Sequence, residues 1–384
     1  MDQLAFGELS REIEAFVRGP GERYATQIES GHAVPPRLWQ DLRERGYLSL
    51  AAPEKYGGRG IEFSRYLELM ELFSLGHASL RMIVHVCNGV WRAIDQFATA
   101  GQREAFVLPL VSGDLRVAFA LTEPVAGSGA DLRASVEREQ GTYYLSGEKH
   151  LITFGVSCDY WLLFARLAGT RGSDGTVALM VDRRAPGVTV ESMPDTMGVR
   201  GTDHAHLTFD RTPVPADCRL GEEGQGLQVA FGGFLTPSRI SLAMSCVGLA
   251  RRAQELAVAH AQVRETFGKP LAARQAVAFP LAENAADIEA ARQLTLHAAR
   301  RWEAGDPAAA TLASMAKLTA VDMLTRVTDK ALQVHGGIGY WEPSPIERIY
   351  RDARAQRFEE GTNEIHKMLI ARDVLAAATP ARTE

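Results

Sequence analysis

Two stretches near the C-terminal end of the 384-residue chain carry residues of the kind that do chemistry. One is Phe358-Glu359-Glu360-Gly361-Thr362-Asn363-Glu364-Ile365. The other, shortly before it, is Gln333-Val334-His335-Gly336-Gly337-Ile338-Gly339-Tyr340. A carboxylate just before a Gly-Thr turn can be held rigidly at the floor of a cleft and serve as a base. The glycines of the earlier stretch let a backbone approach a large planar or phosphorylated ligand closely. Together they suggest proton abstraction beside a dinucleotide cofactor.

Three further stretches offer ligand-binding groups. Leu121-Thr122-Glu123-Pro124-Val125-Ala126-Gly127-Ser128 follows a run of β-formers and ends in a glycine turn. Its hydroxyls (Thr122, Ser128) and the turn's backbone N–H groups suit the polar edge of a ring or an acyl carbonyl, although a plain β-turn with solvent-facing hydroxyls reads the same way. Gly147-Glu148-Lys149-His150-Leu151-Ile152-Thr153-Phe154-Gly155 puts Thr153 on a strand, where β-propensity alone also accounts for a threonine. Arg264-Glu265-Thr266-Phe267-Gly268-Lys269-Pro270-Leu271, followed by Gln275, pairs a guanidinium fork suited to pyrophosphate with an aromatic that can pack on adenine. The competing reading is a helix end capped by Gly268.

The elements that must position these groups follow from periodicity. Leu4, Phe6, Leu9, Ile13 and Phe16 recur at helical spacing, and 38–48, 66–75, 80–97 and 102–110 read as further helices. Short β-rich runs then occupy 117–122, 142–146, 160–166, 176–182, 188–192 and 204–210, separated by turns such as Ser146-Gly147, which predicts an antiparallel barrel or sandwich. No helices alternate with these strands, so a parallel doubly wound sheet is disfavoured. Long helical patterns return at 240–262, 277–304, 307–334 and 363–377 and suggest a four-helix bundle. The expected organisation is an N-terminal helical domain (1–113), a middle β domain (114–222) and a C-terminal helical bundle (223–384). The glycine-rich 221–226 lacks the strand–loop–helix context of a nucleotide loop and reads as the linker between the last two.

Composition narrows the function classes. Hydrophobic content of 46%, charged content of 23% and a net charge of −5 fit a soluble globular protein and argue against a nucleic-acid binder. The dispersed Cys87, Cys158, Cys218 and Cys246 form no Cys-x-x-Cys pair, so free thiols in a reducing cytoplasm are expected rather than disulfides or structural zinc. His204 and His206 share a strand with no further ligand evident in the sequence, and no metal is expected. Residues 1–18 lack the long apolar core of a signal peptide, and no stretch has the ~20 apolar residues of a membrane span.

Over about residues 4–377 the chain resembles the acyl-CoA dehydrogenase family, whose α–β–α plan is the same. The 121–128 stretch is similar to the family's Thr-Glu-Pro-x-x-Gly-Ser-Asp signature, with Gly129 in place of the final Asp. The 147–155 stretch resembles Gly-x-Lys-x-x-Ile-Thr-Asn-Gly, with Phe154 for Asn and Leu151 where an aromatic is frequent. The 264–275 stretch resembles the family's Arg-x-x-Phe-Gly motif and following Gln. The resemblance implies FAD, with Thr122, Ser128 and Thr153 at the flavin. It also implies Arg264, Phe267, Gln275, Gln333, Gly336 and Gly337 reaching the FAD of a neighbouring subunit, and Thr362 and Glu364 near the phosphates. It implies Glu360 as the base in an α,β-dehydrogenation of an acyl thioester. Thr236-Pro237-Ser238-Arg239, where some relatives carry the base, has no carboxylate. Substrate contacts are implied for Ser128, Arg239, His85, Arg81 and Gly361.

The implied partners are an acyl-CoA or acyl-carrier-protein thioester, an electron-transfer flavoprotein and further copies of the chain in a homotetramer. Glu359 replaces the family's aromatic and either faces the cleft or points to solvent. Arg81 either meets a second substrate carboxylate or is a solvated helix arginine, and His85 either lines the acyl pocket or is a satisfied core histidine. Competing readings are a flavin monooxygenase or oxidase of the same fold, against which Glu360 argues, and a non-catalytic partner subunit, against which Thr122, Thr153, Arg264 and Gln275 argue.

Overall fold

A computed structural model describes residues 1–125 and 131–377. The first region comprises α1 (Gln3–Phe16), α2 (Glu22–Gly31), α3 (Pro36–Glu44), α4 (Phe63–Phe73), α5 (Ala78–Phe97), α6 (Ala100–Gln102) and α7 (Leu108–Ser112). Helix α1 buries Phe6, Leu9, Ile13 and Phe16, the face its spacing dictates. The helix expected over 38–48 stops at Glu44 because Gly46, at φ 70°, turns the chain out of the helix.

The middle region contains β1 (Val117–Ala120), β2 (Ser135–Glu139), β3 (Thr142–Thr153), β4 (Tyr160–Leu167), β5 (Thr176–Asp182), β6 (Val188–Ser192), β7 (His204–Pro215) and β8 (Arg219–Leu220). They form one sheet in the order β6-β7-β3-β2-β4-β5-β8, with β1 on β4. The sheet is mixed rather than purely antiparallel, because β1 and β2 both run parallel to β4. The β2–β3 hairpin is inserted between β1 and β4, so no tight turn obliges those two to be antiparallel. Strand β3 shifts register on β7 between Lys149 and Ile152, and Leu151 (φ 59°) and Phe154 (φ 56°) are left-handed. Such a bulge re-aims the side chains around it, Thr153 among them.

The last region comprises α8 (Gly226–Gln228), a π-helical turn (Val229–Leu235), α9 (Thr236–Val263), the small hairpin β9 (Glu265–Thr266) and β10 (Lys269–Pro270), α10 (Gln275–Glu303), α11 (Ala309–His335), α12 (Pro345–Ala355) and α13 (Asn363–Ala377). Helices α9, α10 and α11 pack on one another, α13 lies on α11, and α4 from the first region packs against α9 and α10. The apolar core is accordingly continuous from Phe6 and Ile13 through Met70 and Phe73 to Val247, Leu324 and Ile349. Gly248 permits the α4–α9 approach, since a Cβ there would stand 2.3 Å from the Glu71 carbonyl oxygen. The buried Glu71 carboxylate is held by Arg251 and by Arg292 Nε at 2.8 Å. Among the described residues no helix is long and apolar enough to cross a membrane, and the four cysteines are unpaired.

Candidate active site

The loop between α12 and α13 carries Glu359, Glu360 and Gly361. Glu360 has φ 56° and Gly361 φ 101°, so a non-glycine residue is held left-handed where chemistry is expected. Such backbone costs roughly 1–3 kcal/mol and persists only where its surroundings over-determine it. Here Arg239 Nε donates to the Glu360 carbonyl at 3.2 Å, and the buried Lys317 Nζ donates to the Gly361 carbonyl at 2.8 Å. Both cations project from bundle helices, α9 and α11, so the turn is pinned to the rigid part of the molecule. The Glu360 backbone N–H makes no backbone hydrogen bond among the described residues and remains available as a donor.

The Glu360 side chain is 14% exposed. Its Oε1 accepts from Ser238 Oγ at 2.7 Å, and His85 Nε2 lies 2.8 Å from that same hydroxyl and 3.7 Å from Oε1. His85 Nδ1 in turn lies 3.1 Å from Ser241 Oγ. Burial alone would raise the Glu360 pKa. The contacts with His85, then Ser238 and the Arg239 charge, outweigh it and hold the carboxyl below its ordinary value, in the proton-accepting form. His85 is thus both a satisfied core histidine and a wall of the small cavity beside Glu360, which Ser238, Ser241, Asn88, Arg92 and Phe234 also line.

The structure pairs Glu359 with Arg81. Arg81 is 2% exposed and not solvated. Its fork meets Glu359 through Nη1–Oε2 at 3.2 Å and Nη2–Oε1 at 3.4 Å, and Nη2 also donates to Gln356 Oε1 at 3.2 Å. The carboxylate that Arg81 meets is therefore the chain's own. Glu359 does not point free into solvent, because an unpaired guanidinium at this depth would carry a heavy desolvation cost.

The sheet ties the Thr122 backbone to the strand that carries Thr153. His150 N–H donates to the Thr122 carbonyl at 2.9 Å, tying the end of β1 to β3. Buried Lys149 donates to Glu123 Oε1 at 2.8 Å and to the Leu121 carbonyl at 3.1 Å, while Glu123 accepts the Arg133 and Ala134 N–H groups. Burial, opposed by Glu123, pushes the Lys149 pKa down to about 8. This pair is a support that motif reading missed; the signal was two charged residues inside otherwise β-forming runs. Neither threonine hydroxyl bonds to another described residue. Ser128 lies outside the described residues. His204 is the cross-strand partner of Thr153, and burial, opposed by the Asp203 charge, lowers its pKa. His206 lies against His150, with ring nitrogens 3.0 Å apart, and 3.6 Å from Glu148 Oε2, so it is less isolated than the sequence suggests. Still, no group of three such side chains among the described residues can hold a metal.

The remaining motif residues form a second, exposed cluster. The ends of α9 and α11 meet where His260 stacks on His335 at 4.6 Å. Arg264, Phe267 and Gln275 follow the first helix, and Gln333, Gly336 and Gly337 close the second; all are exposed, Phe267 at 97%. Arg264 forms no ion pair among the described residues. Ile338, Tyr340 and Trp341 add exposed apolar surface alongside. Thr362 is half-buried and Glu364 exposed in the first turn of α13. The Glu364 backbone N–H and the Thr362 hydroxyl hold its carboxyl below the usual range.

A carboxylate kept ionised and, at the far ends of the bundle helices, an exposed guanidinium beside an open aromatic suit proton abstraction beside a phosphorylated cofactor. Comparison with known proteins agrees: the N-terminal, middle and C-terminal domains described for acyl-CoA dehydrogenase match residues 7–114, 118–212 and 224–375. The chain is 35% identical over 369 residues to an acyl-CoA dehydrogenase of Bacillus subtilis (strain 168), covering 96% of this chain and 97% of that one. It is 36% identical over 353 residues to the mitochondrial short-chain specific acyl-CoA dehydrogenase of Bos taurus, covering 91% and 85%. The solved butyryl-CoA dehydrogenase of Megasphaera elsdenii superposes with a TM-score of 0.88 at 32% identity, covering 98% of this chain and all (100%) of that one. The chain belongs to the acyl-CoA dehydrogenase family, FAD-dependent oxidoreductases that act on CH–CH groups.

Proposed function

We propose that the chain oxidises a small or medium acyl thioester to the trans-2-enoyl thioester, with Glu360 removing the α proton. The ionised Glu360 carboxylate, held by Ser238 and His85 while Arg239 holds the same residue's backbone carbonyl, is the observation that carries this reading. Bound FAD supplies the acceptor for the hydride that leaves the β carbon. The free Glu360 N–H donates to the thioester carbonyl and acidifies the α proton, so base and oxyanion donor belong to one residue. The left-handed backbone at Glu360 is what turns both groups into the same cleft.

Thr122 and Thr153 would hold the ring, Ser128 joining them at the thioester end. Arg264, Phe267, Gln275, Gln333, Gly336 and Gly337 would hold the adenosine half of the cofactor bound to a neighbouring chain, with Thr362 and Glu364 at the phosphates. Exposure of that whole cluster in the single chain supports a homo-oligomer, a tetramer on the family's plan. Arg239 and Gly361 flank the thioester. Coenzyme A and a carrier protein are both compatible as carriers, and an electron-transfer flavoprotein is the expected electron acceptor. Anaerobic titration of the yellow holoenzyme with a panel of thioesters, following loss of flavin absorbance, tests this. Bleaching by at least one thioester is expected, and bleaching by none overturns the reading.

A further inference from the structure

His366 lies in the first turn of α13 and is wholly buried, at 0% exposure. Neither of its ring nitrogens has a hydrogen-bond partner among the described residues. An imidazole in that state has given up its hydrogen bonds to water and gained none in return. An apolar side chain of similar size would be less costly there, so packing alone does not account for a histidine.

The ring lies against the turn that carries Glu360. Its Nε2 stands 3.4 Å from the point that a Cβ on Gly361 would occupy, and Arg239 Nη2 stands 3.9 Å from the same point. The bare Cα of Gly361 thus lies between an imidazole and a guanidinium. The Glu360 carbonyl accepts one hydrogen bond, from Arg239 Nε, and the Gly361 carbonyl accepts one from Lys317 Nζ. Each carbonyl has a second lone pair to fill. Burial, joined by the Arg239 and Lys317 charges, holds the His366 pKa down to about 3. The ring is therefore neutral at working pH and has one N–H to donate.

We infer that His366 is a positioning residue for the base: in the Michaelis complex its Nε2–H donates to a carbonyl of the Glu360–Gly361 turn. This rests on the reading of Glu360 as the base. Catalytic hydrogen bonds are often long or misaligned in the free enzyme and tighten only in that complex. In the proposed reaction the thioester carbonyl binds the Glu360 N–H and so loads this turn. A donor behind the turn resists its rotation and keeps the carboxylate on the α proton. A neutral ring does this without adding a third cation beside Arg239 and Lys317.

The test compares FAD-loaded wild type, His366→Gln, His366→Asn and His366→Leu by anaerobic stopped flow. The probe is whichever of the butyryl, hexanoyl and octanoyl coenzyme A thioesters bleaches the wild type fastest. A glutamine amide nitrogen reaches the place of Nε2, whereas that of asparagine reaches only the place of Nδ1. The limiting reduction rate of His366→Gln should stay within about threefold of wild type, while Asn and Leu should fall about tenfold or more, since slight misplacement of a reacting group costs up to about 100-fold. Thioester Kd, read from flavin spectral perturbation, and FAD content should not change. The denaturant midpoint of His366→Leu should not fall, because unpaired buried nitrogens are removed. Reduction by His366→Leu at the wild-type rate overturns the inference, and so does His366→Gln no faster than His366→Leu. A lowered midpoint with rate and affinity falling together assigns His366 to packing and overturns it as well. If His366→Leu yields no folded enzyme, the ratio of Gln to Asn decides, and equal rates overturn the inference. Failure of the base reading shows separately, as Glu360→Gln reducing at the wild-type rate. Bleaching by no thioester overturns both.

Discussion

At the first turn of α9, Ser238 and Arg239 are buried and bound to the turn that carries Glu360; just past its last turn, Arg264 and Phe267 stand exposed, Arg264 with no ion pair among the described residues. From Ser238 to Val263 the helix rises roughly 38 Å. At the buried end Ser238, His85, Arg239 and Lys317 hold Glu360 and its turn within one chain, as pre-alignment of a base requires, while both ring nitrogens of the neighbouring buried His366 lack a hydrogen-bond partner. The other end presents a guanidinium, an aromatic and a glycine loop that gain nothing from being exposed. If Glu360 is the base and Arg264 a cofactor contact, as proposed above, one chain holds the proton chemistry whole and only part of the cofactor's binding surface. On the reading proposed above, the missing part comes from a second copy.

Glu360→Gln should separate the two ends most sharply. The amide keeps size and polarity but does not accept the α proton, and loss of a general base costs about 10²–10⁴-fold. FAD content and thioester-induced spectral perturbation should be retained while stopped-flow flavin reduction falls by that factor. Reduction within a few-fold of wild type would move the base elsewhere.

Lys149→Met probes the sheet that carries Thr153 and holds the Thr122 backbone. It leaves Glu123 charged and buried without its cation, which typically costs about 3–5 kcal/mol. Denaturant unfolding of the apoprotein should register a loss of that size. A change under about 1 kcal/mol would mean that the Arg133 and Ala134 N–H groups suffice to hold Glu123.

Arg264→Gln addresses the exposed end. Removing a charge-assisted contact to phosphate costs about 1.5–3 kcal/mol, roughly ten- to a hundredfold in FAD affinity. Reduction in enzyme saturated with FAD should stay near wild type, the reverse of the Glu360→Gln pattern. Light scattering on the wild type should give a multiple of the 41.9 kDa chain. A monomer holding stoichiometric FAD would break the comparison altogether.

The two ends were also unequally legible in the sequence. Arg264, Phe267 and the 333–337 glycines sit in contiguous motifs whose chemistry is visible residue by residue. At the buried end Glu360, Arg239, His85, Arg81 and Glu359 were named, but not which of them meet or what supports them, because that depends on residues distant in sequence. Lys317 reaches Gly361 across 44 positions, and the Glu359–Arg81 pair spans 278. A lysine inside a helical pattern reads as a surface residue until the fold buries it. Periodicity found the long helices but missed α12, whose buried Ile346, Ile349 and Ala353 are outnumbered by charged neighbours. It also missed β2, in which Val136 alone is fully buried. The parallel β1–β4 pairing is set by topology, which strand propensity does not encode.

The smallest expected effect concerns how the buried end tunes its base. Glu360 stands below the ordinary carboxylate value of 4.5 because His85, Ser238 and Arg239 together outweigh its burial. A base works ionised, so flavin reduction should be present above the Glu360 pKa and fall as pH drops through it, placing the wild-type acidic limb below 4.5. His85→Leu removes the largest stabilising partner while leaving burial in force. The Glu360 pKa should then rise and the acidic limb shift to higher pH, with reduction at pH 8 much less affected than at pH 5. A purely structural role for His85 would instead lower reduction equally at both pH values. An unshifted limb would assign the tuning to Ser238 and Arg239, the two groups that join the base to the first turn of α9.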